Sequence, residues 1–252
     1  MVKLTPVESL SKALEIVQED KESVLDVHSH AHIRDDGALQ LAQHLGKNTN
    51  LRVLILGGQG IGPAGAQALG AALRTNMGLQ ELHLHNNNLG YEGVEKMSIE
   101  LAKPLYEGSS KPGNKILKTL ILRKNGIGAH CGGNCGICRL SPDFPAAFLE
   151  LTSLSTIDLN GNEITQLPME FARLPKLLYM DVRNNPITNI PQDVFVTARK
   201  GHQSGWPGLK EYMLQQLAQE AGGTATSPMT RVGTPGGGPG GGSPLVVDKR
   251  MI

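Results

Sequence analysis

Three thiols and an imidazole crowd one short stretch of this 252-residue chain: His130, Cys131, Cys135 and Cys138. Thiolate sulfur and imidazole nitrogen are the ligands of closed tetrahedral zinc sites, and three thiolates can also hold an iron–sulfur cluster. Cys135 and Cys138, taken alone, have the spacing of a redox dithiol. A second set is Gly60, Gly62 and Gly65, which follow an apolar run and open an Ala/Leu-rich one. A glycine-rich turn between a strand and a helix is where a dinucleotide pyrophosphate binds. The third set is histidine: His28, His30 and His32 lie together, and His83 and His85 flank Leu84.

Each set needs partners elsewhere in the chain. The cysteine spacing resembles the cluster motif of radical-SAM enzymes, which implies a long barrel and further cofactor segments that this sequence does not supply. The stretch reads first as a small-residue Gly/Cys loop inserted at the edge of the array, with a structural metal clip or a redox-sensitive loop at His130, Cys131, Cys135 and Cys138 as the alternative. The glycine slots recur at Gly90 and Gly93 without the first glycine, and the next strand ends in Asn rather than in an acid for a ribose. Strands about 4.8 Å apart place the histidines of alternate repeats roughly 10 Å apart. That is wide for one metal, whose bonds to imidazole are about 2 Å. The histidines therefore read as contact residues on a sheet, titrating near neutral pH. No Ser/His/Asp spacing, no H-E-x-x-H and no Walker loop is present. The expectation is a chain without catalysis, cofactor or resident metal.

What positions these residues is a repeat. Leu51-x-x-Leu54-x-Leu56-x-x-Gln59-x-Ile61 returns 28 residues on as Leu79-x-x-Leu82-x-Leu84-x-x-Asn87-x-Leu89. It returns again from Leu117 to Ile127, from Leu154 to Ile164 and from Leu177 to Ile187, each with its Asn at 125, 162 or 185. The alternating apolar residues predict short strands with one buried face. The Asn amides, with two donors and an acceptor each, predict a ladder that satisfies backbone groups where the chain leaves the strand, and Gln59 can do the same. One such unit cannot cover its own apolar side, so successive units must stack.

The frame resembles the leucine-rich repeat signature. The 28-residue steps are similar to ribonuclease-inhibitor-like repeats, and the last step, 23 residues from Leu154 to Leu177, matches the shorter typical length. The resemblance implies an α/β solenoid, or horseshoe, with a parallel sheet on the concave face and helices or irregular segments on the convex face.

In chain order, residues 1–22 carry an amphipathic capping helix, expected over 5–19 with Thr5 as N-cap, Pro6 at its first position and Val7, Leu10, Leu14 and Val17 on one face. Residues 23–200 hold about six repeats, the first degenerate, with Leu25 and Val27 in the strand and His30 in place of the Asn. Residues 201–220 form a closing helix with Trp206, Leu209, Met213 and Leu217 as its stripe. It is similar to the closing helix of plant intracellular Ras-group-related leucine-rich repeat proteins. Residues 221–252, rich in Gly, Pro, Ser and Thr, read as a disordered tail.

A net charge of +1 with mixed signs and 4% aromatics give no reason to expect nucleic acid or a membrane surface as partner. No apolar run has the length of a membrane span. Clustered cysteines and a charged N-terminal stretch point to the cytoplasm, with the nucleus also open, and a monomer is expected. The function expected is a non-enzymatic scaffold that docks a protein on its concave sheet through Asp26, His28, Glu81, His83, His85, Arg123, Asp158, Asn160, Asp181 and Arg183. The resemblance to repeats of Ran GTPase-activating proteins implies the alternative, regulation of a small GTPase. A metal-binding or redox role for the cysteine loop is the second alternative.

Overall fold

A computed structural model of the chain describes residues 7–27, 29–104, 113–128, 144–198 and 205–222. Six three-residue strands form one parallel sheet in sequence order. They are β1 (Val24–Asp26), β2 (Val53–Ile55), β3 (Glu81–His83), β4 (Thr119–Ile121), β5 (Thr156–Asp158) and β6 (Tyr179–Asp181). Register follows the repeat frame without slip: Leu25, Leu54, Leu82, Leu120, Ile157 and Met180 are paired in succession and all are buried. A one-residue shift anywhere would turn these side chains to the open face, so burial of the leucines fixes the pairing.

The return segments lie on the other side of the sheet. α2 (Arg34–Leu45), α3 (Pro63–Thr75) and α4 (Gly90–Ala102) back the first repeats, and two short 3₁₀ turns, Ala146–Glu150 and Met169–Arg173, back the later ones. Met169–Arg173 lies in the 23-residue repeat, whose shorter return path takes a tight turn in place of a helix. Strand and helix residues share one core, which Phe144, Phe148 and Phe171 fill between the later turns in edge-to-face contacts at centroid distances of 4.8, 5.1 and 5.8 Å.

The amide ladder holds. Asn162 accepts from the Asn125 and Ile127 amides at 2.8 and 3.2 Å and donates to the Leu122 and Leu159 carbonyls at 3.1 and 2.8 Å. Asn87 makes the same four contacts two repeats earlier. Gln59 donates to Val27 O at 2.8 Å and accepts from Ile33 N at 3.3 Å. The first repeat departs from expectation: His30 is exposed on a 3₁₀ turn, Ser29–Ala31, rather than buried in the ladder.

A second ladder, on the helix side, was not expected from the sequence. Asn48, Asn76 and Asn114 stand three residues before the first leucine of their frames. Each accepts from that leucine's amide, at 2.9, 2.7 and 2.9 Å, and donates to a carbonyl in the last turn of the helix one repeat back, Val17, Leu45 or Leu73. They satisfy the orphan carbonyls at the helix C-termini, as the other set satisfies the strand ends.

At the N-terminal end, α1 is Leu10–Glu19, not 5–19. Ser9 is its N-cap and accepts from Lys12 N at 3.3 Å, while Val7 pairs with Val27 as an isolated parallel bridge. Val7 is drawn into an extended pairing that covers the free edge of β1, so the helix starts later. Thr5 and Pro6 lie outside the described residues. At the other end come α5 (Gln192–Ala198) and α6 (Trp206–Gly222), with Trp206, Leu209, Met213 and Leu217 of α6 buried. The Trp206 indole N–H donates to Leu177 O at 3.3 Å. Residues 223–252, the bulk of the tail read as disordered, lie outside the described residues.

Candidate functional site

The open face of the sheet is made of the residues that alternate with the buried leucines. One column runs Val24, Val53, Glu81, Thr119, Thr156 and Tyr179; the next runs Asp26, Ile55, His83, Ile121, Asp158 and Asp181. Beyond the strand ends Gly57, His85, Arg123, Asn160 and Arg183 make a third at the same two-residue step. The polar candidates are thus brought together on one face, with the exception of His28, which lies outside the described residues.

They are not equivalent. Asp181 is buried, 3% exposed, and is enclosed by its own neighbours. The Arg183 guanidinium donates to both its oxygens, Nε lying 2.8 Å from Oδ1, and the Arg183 and Asn160 nitrogens add bonds of 3.0 and 3.4 Å. Burial pushes the Asp181 carboxyl up, but the Arg183 pairing outweighs it and holds the group below the usual carboxylate range. The sequence places Asp181 among the open contact groups, but the last strand sinks this acid beneath an arginine two residues on. Arg183 is engaged by the same pair.

The remaining charges are less committed. Arg123 is exposed, and its guanidinium makes no hydrogen bond or ion pair among the described residues. Asp158 is half-buried and spends one oxygen, Oδ1, on the Asn160 amide at 2.9 Å. Burial, helped by Asp181, pushes its pKa up. Asp26 is half-buried in the same column. His83 Nε2 lies 3.4 Å from Glu81 Oε2 in an orientation that makes no hydrogen bond. The His85 imidazole occupies the space a side chain on Gly57 would need, with Nε2 2.2 Å from where a Cβ would stand. Burial, with Arg123 and His83 nearby, pulls the His85 pKa down.

Sequence reasoning sought polar contacts and passed over the apolar ones. Val24, Val53, Ile55 and Ile121 are half-buried on this face, and Tyr179 at its C-terminal end is 36% exposed. The signal was present in the sequence: these residues occupy the outward slots of the same frame.

Two segments match family models described as leucine rich repeat, residues 47–70 and 75–98, and a third match spans 138–187. The chain is a leucine-rich repeat protein. Among solved structures it is similar to the actin-binding site 2 domain of leiomodin-1, at 14% identity and a TM-score of 0.46, over 84% of this chain and 93% of that one. It is also similar to the tropomodulin C-terminal domain of Caenorhabditis elegans, at 10% identity and a TM-score of 0.45, over 85% and 99%. No curated protein matches. None of these findings bears on the plant Ras-group likeness of the closing helix.

The repeat turn also accounts for the glycine motif. At the N-terminus of α3, Asp35 Oδ1 from the preceding repeat accepts from Gly62 N at 2.7 Å and Gly65 N at 2.9 Å. A Cβ on Gly65 would meet that carboxylate oxygen at 2.6 Å and Ile61 at 2.8 Å. The amides that would cradle a phosphate in a dinucleotide fold are already taken by a carboxylate. Among the described residues no group of His, Cys, Asp or Glu is placed to hold a metal ion. His130, Cys131, Cys135 and Cys138 lie outside them. No described helix is long and apolar enough to cross a membrane.

Proposed function

We propose that this leucine-rich repeat protein is a non-enzymatic binding module whose concave sheet docks a segment of a protein partner. The observation that carries this reading is the contrast among the charges of that face. Asp181 and Arg183 are closed on each other, whereas the Arg123 guanidinium and one oxygen of Asp158 have no partner among the described residues. They flank half-buried Ile121 and, two strands away, Ile55. Unpaired fork-shaped donors and an acceptor around an apolar floor are what a partner segment needs for a buried anchor and a polar rim. Ile55, Ile121 and Asp158 are strand residues whose backbone is ordered before contact, which lowers the ordering cost of docking.

The finer reading, a small GTPase as the partner, rests on the resemblance of the 28-residue repeats; stimulated GTP hydrolysis across a panel of small GTPases tests it. The docking surface itself is tested with short random peptides displayed on phage and selected on the full chain. Binders recovered should lose roughly tenfold in affinity, about 1.4 kcal/mol, on Arg123→Glu or Asp158→Lys. Binders indifferent to both substitutions and to Ile121→Asp would place docking elsewhere and overturn the proposal.

A further inference from the structure

Five turns lead the chain into β2 to β6: residues 46–52, 76–80, 113–118, 151–155 and 174–178. Together they hold Lys47, Arg52, Lys115, Lys118 and Lys176 and not one Asp or Glu, in a chain whose charges otherwise nearly cancel at 24 basic to 23 acidic residues. Stacking gathers these turns along one edge. The Arg52 carbonyl accepts from the Gln80 amide, that of Gln80 from Lys118, that of Lys118 from Ser155 and that of Ser155 from Leu178, at 2.8, 2.8, 2.8 and 2.9 Å. Successive turns therefore stand about 4.8 Å apart, and the row is roughly 19 Å long.

Lys115, Lys118 and Lys176 are exposed, and their ammonium groups meet no acid among the described residues; Lys118 Nζ donates to Gln80 Oε1 at 3.0 Å. The same edge carries Met77 and Leu178, 59% and 78% exposed, the most exposed large apolar side chains among the described residues. Helix C-termini lie near these turns and favour cations, which accounts for part of the charge. A helix dipole gives no reason to hold apolar groups out in water beside those cations. Unpaired cations and exposed apolar side chains on one surface are the counterpart of a chain that brings acids and apolar residues together.

We infer that this edge is a second interaction surface, separate from the concave face, and that it takes an acidic protein segment with aliphatic residues among its Asp and Glu. Met77 and Leu178 stand three repeats apart, about 14 Å along the array, a distance that roughly four residues of extended chain span. Nucleic acid fits the edge less well, since the five turns hold no aromatic ring on which a base could stack. An anionic bilayer also fits it less well, because a surface that lies in a membrane needs a broad apolar face, and this edge offers two apolar side chains.

The test titrates the full chain with a fluorescent synthetic peptide that repeats Asp-Glu-Leu, an Asp-Glu-Ser repeat serving as the charge-only control. The Asp-Glu-Leu peptide should bind severalfold tighter than the control, and both should weaken as salt shortens the reach of the charges. Lys118→Glu combined with Lys176→Glu should weaken the Asp-Glu-Leu peptide at least roughly tenfold, and Leu178→Ser roughly threefold. All three side chains are exposed, so these substitutions leave the core intact. Arg123 stands at the far end of the fourth strand, roughly 16 Å from Lys118, and Arg123→Glu should change the affinity by less than about twofold. Binding that ignores the lysine reversals, or that is equal for the two peptides, overturns the inference. So does a loss on Arg123→Glu as large as that from the lysines, which would return the peptide to the concave face. Phosphatidylserine vesicles or poly(U) RNA that bind through Lys118 and Lys176 more tightly than the peptide overturn it as well.

Discussion

The imidazole of His85 lies over the backbone of Gly57, in the volume that any larger residue at position 57 would claim. The two belong to successive repeats, with Gly58 N donating to His85 O at 2.9 Å, so the ring caps the neighbouring strand end. Gly57→Ala would put a methyl group 2.2 Å from Nε2. Because the obstacle is a side chain that can rotate, the expected outcome is a displaced imidazole and a stability change within about 1 kcal/mol. A shift of the His85 ring resonances by NMR checks it; unchanged resonances would mean that the ring does not occupy the Gly57 slot.

The amide ladder should dominate single-residue stability. Asn162 is buried and makes four bonds to backbone groups of two repeats. Asn162→Ala leaves those groups without partners in a dry interior and is expected to cost about 3 kcal/mol in urea unfolding. Asn185, at the thinner end and partly exposed, should cost less than half as much. Equal effects at the two sites would contradict a ladder whose weight depends on burial.

Charges on the concave face should separate into two kinds. Arg183→Met strands the buried Asp181 carboxylate and is expected to cost about 2 kcal/mol. Arg123→Met breaks no pair and should fall within about 0.5 kcal/mol of the unsubstituted chain. Thermal unfolding of both variants decides between this division and a face whose charges are all merely solvated, in which case neither would destabilise.

Two pH effects of opposite sign follow from the same face. His85 has its pKa lowered by burial first, then by Arg123 and His83, with Asp26 and Asp158 opposing. The unfolded chain then binds the proton more readily, so this group's contribution is present above 6.5 and is lost as the pH falls below it. His85→Gln should flatten the fall of Tm on that side. Asp158 has its pKa raised by burial, so its contribution is present below 3.8 and is lost as the pH rises through the folded value. Asp158→Asn should therefore raise Tm at neutral pH and leave it unchanged well below 3.8. A drop in Tm at neutral pH would show that the ionised group serves the fold.

Much of the fold was legible because the repeat constrains it many times over. Leu54, Leu82, Leu120, Ile157 and Met180 occupy one slot, and each confirms the register of the next. The second amide set was missed because Asn48, Asn76 and Asn114 fall in turns, where Asn is common for reasons unrelated to a ladder. Asp35 gave no local sign of capping a helix one repeat later, since that contact exists only once repeats stack. α1 was begun too early because the Thr5-Pro6-x-Glu8 pattern satisfies a helix start locally, while the strand pairing of Val7 is a tertiary fact. The concave columns followed from alternation. Which charges were free did not, because the pairing of Asp181 with Arg183 is settled by burial and rotamer rather than by spacing.

The most direct test of concave docking is a hydrogen-exchange footprint of the full chain with and without the tightest phage-selected peptide. Slowed exchange is predicted in the segments that follow β2 to β5, around Gly57, His85, Arg123 and Asn160, with α2, α3 and α4 unchanged. Protection confined to those helices, with the strand ends unaffected, would contradict it.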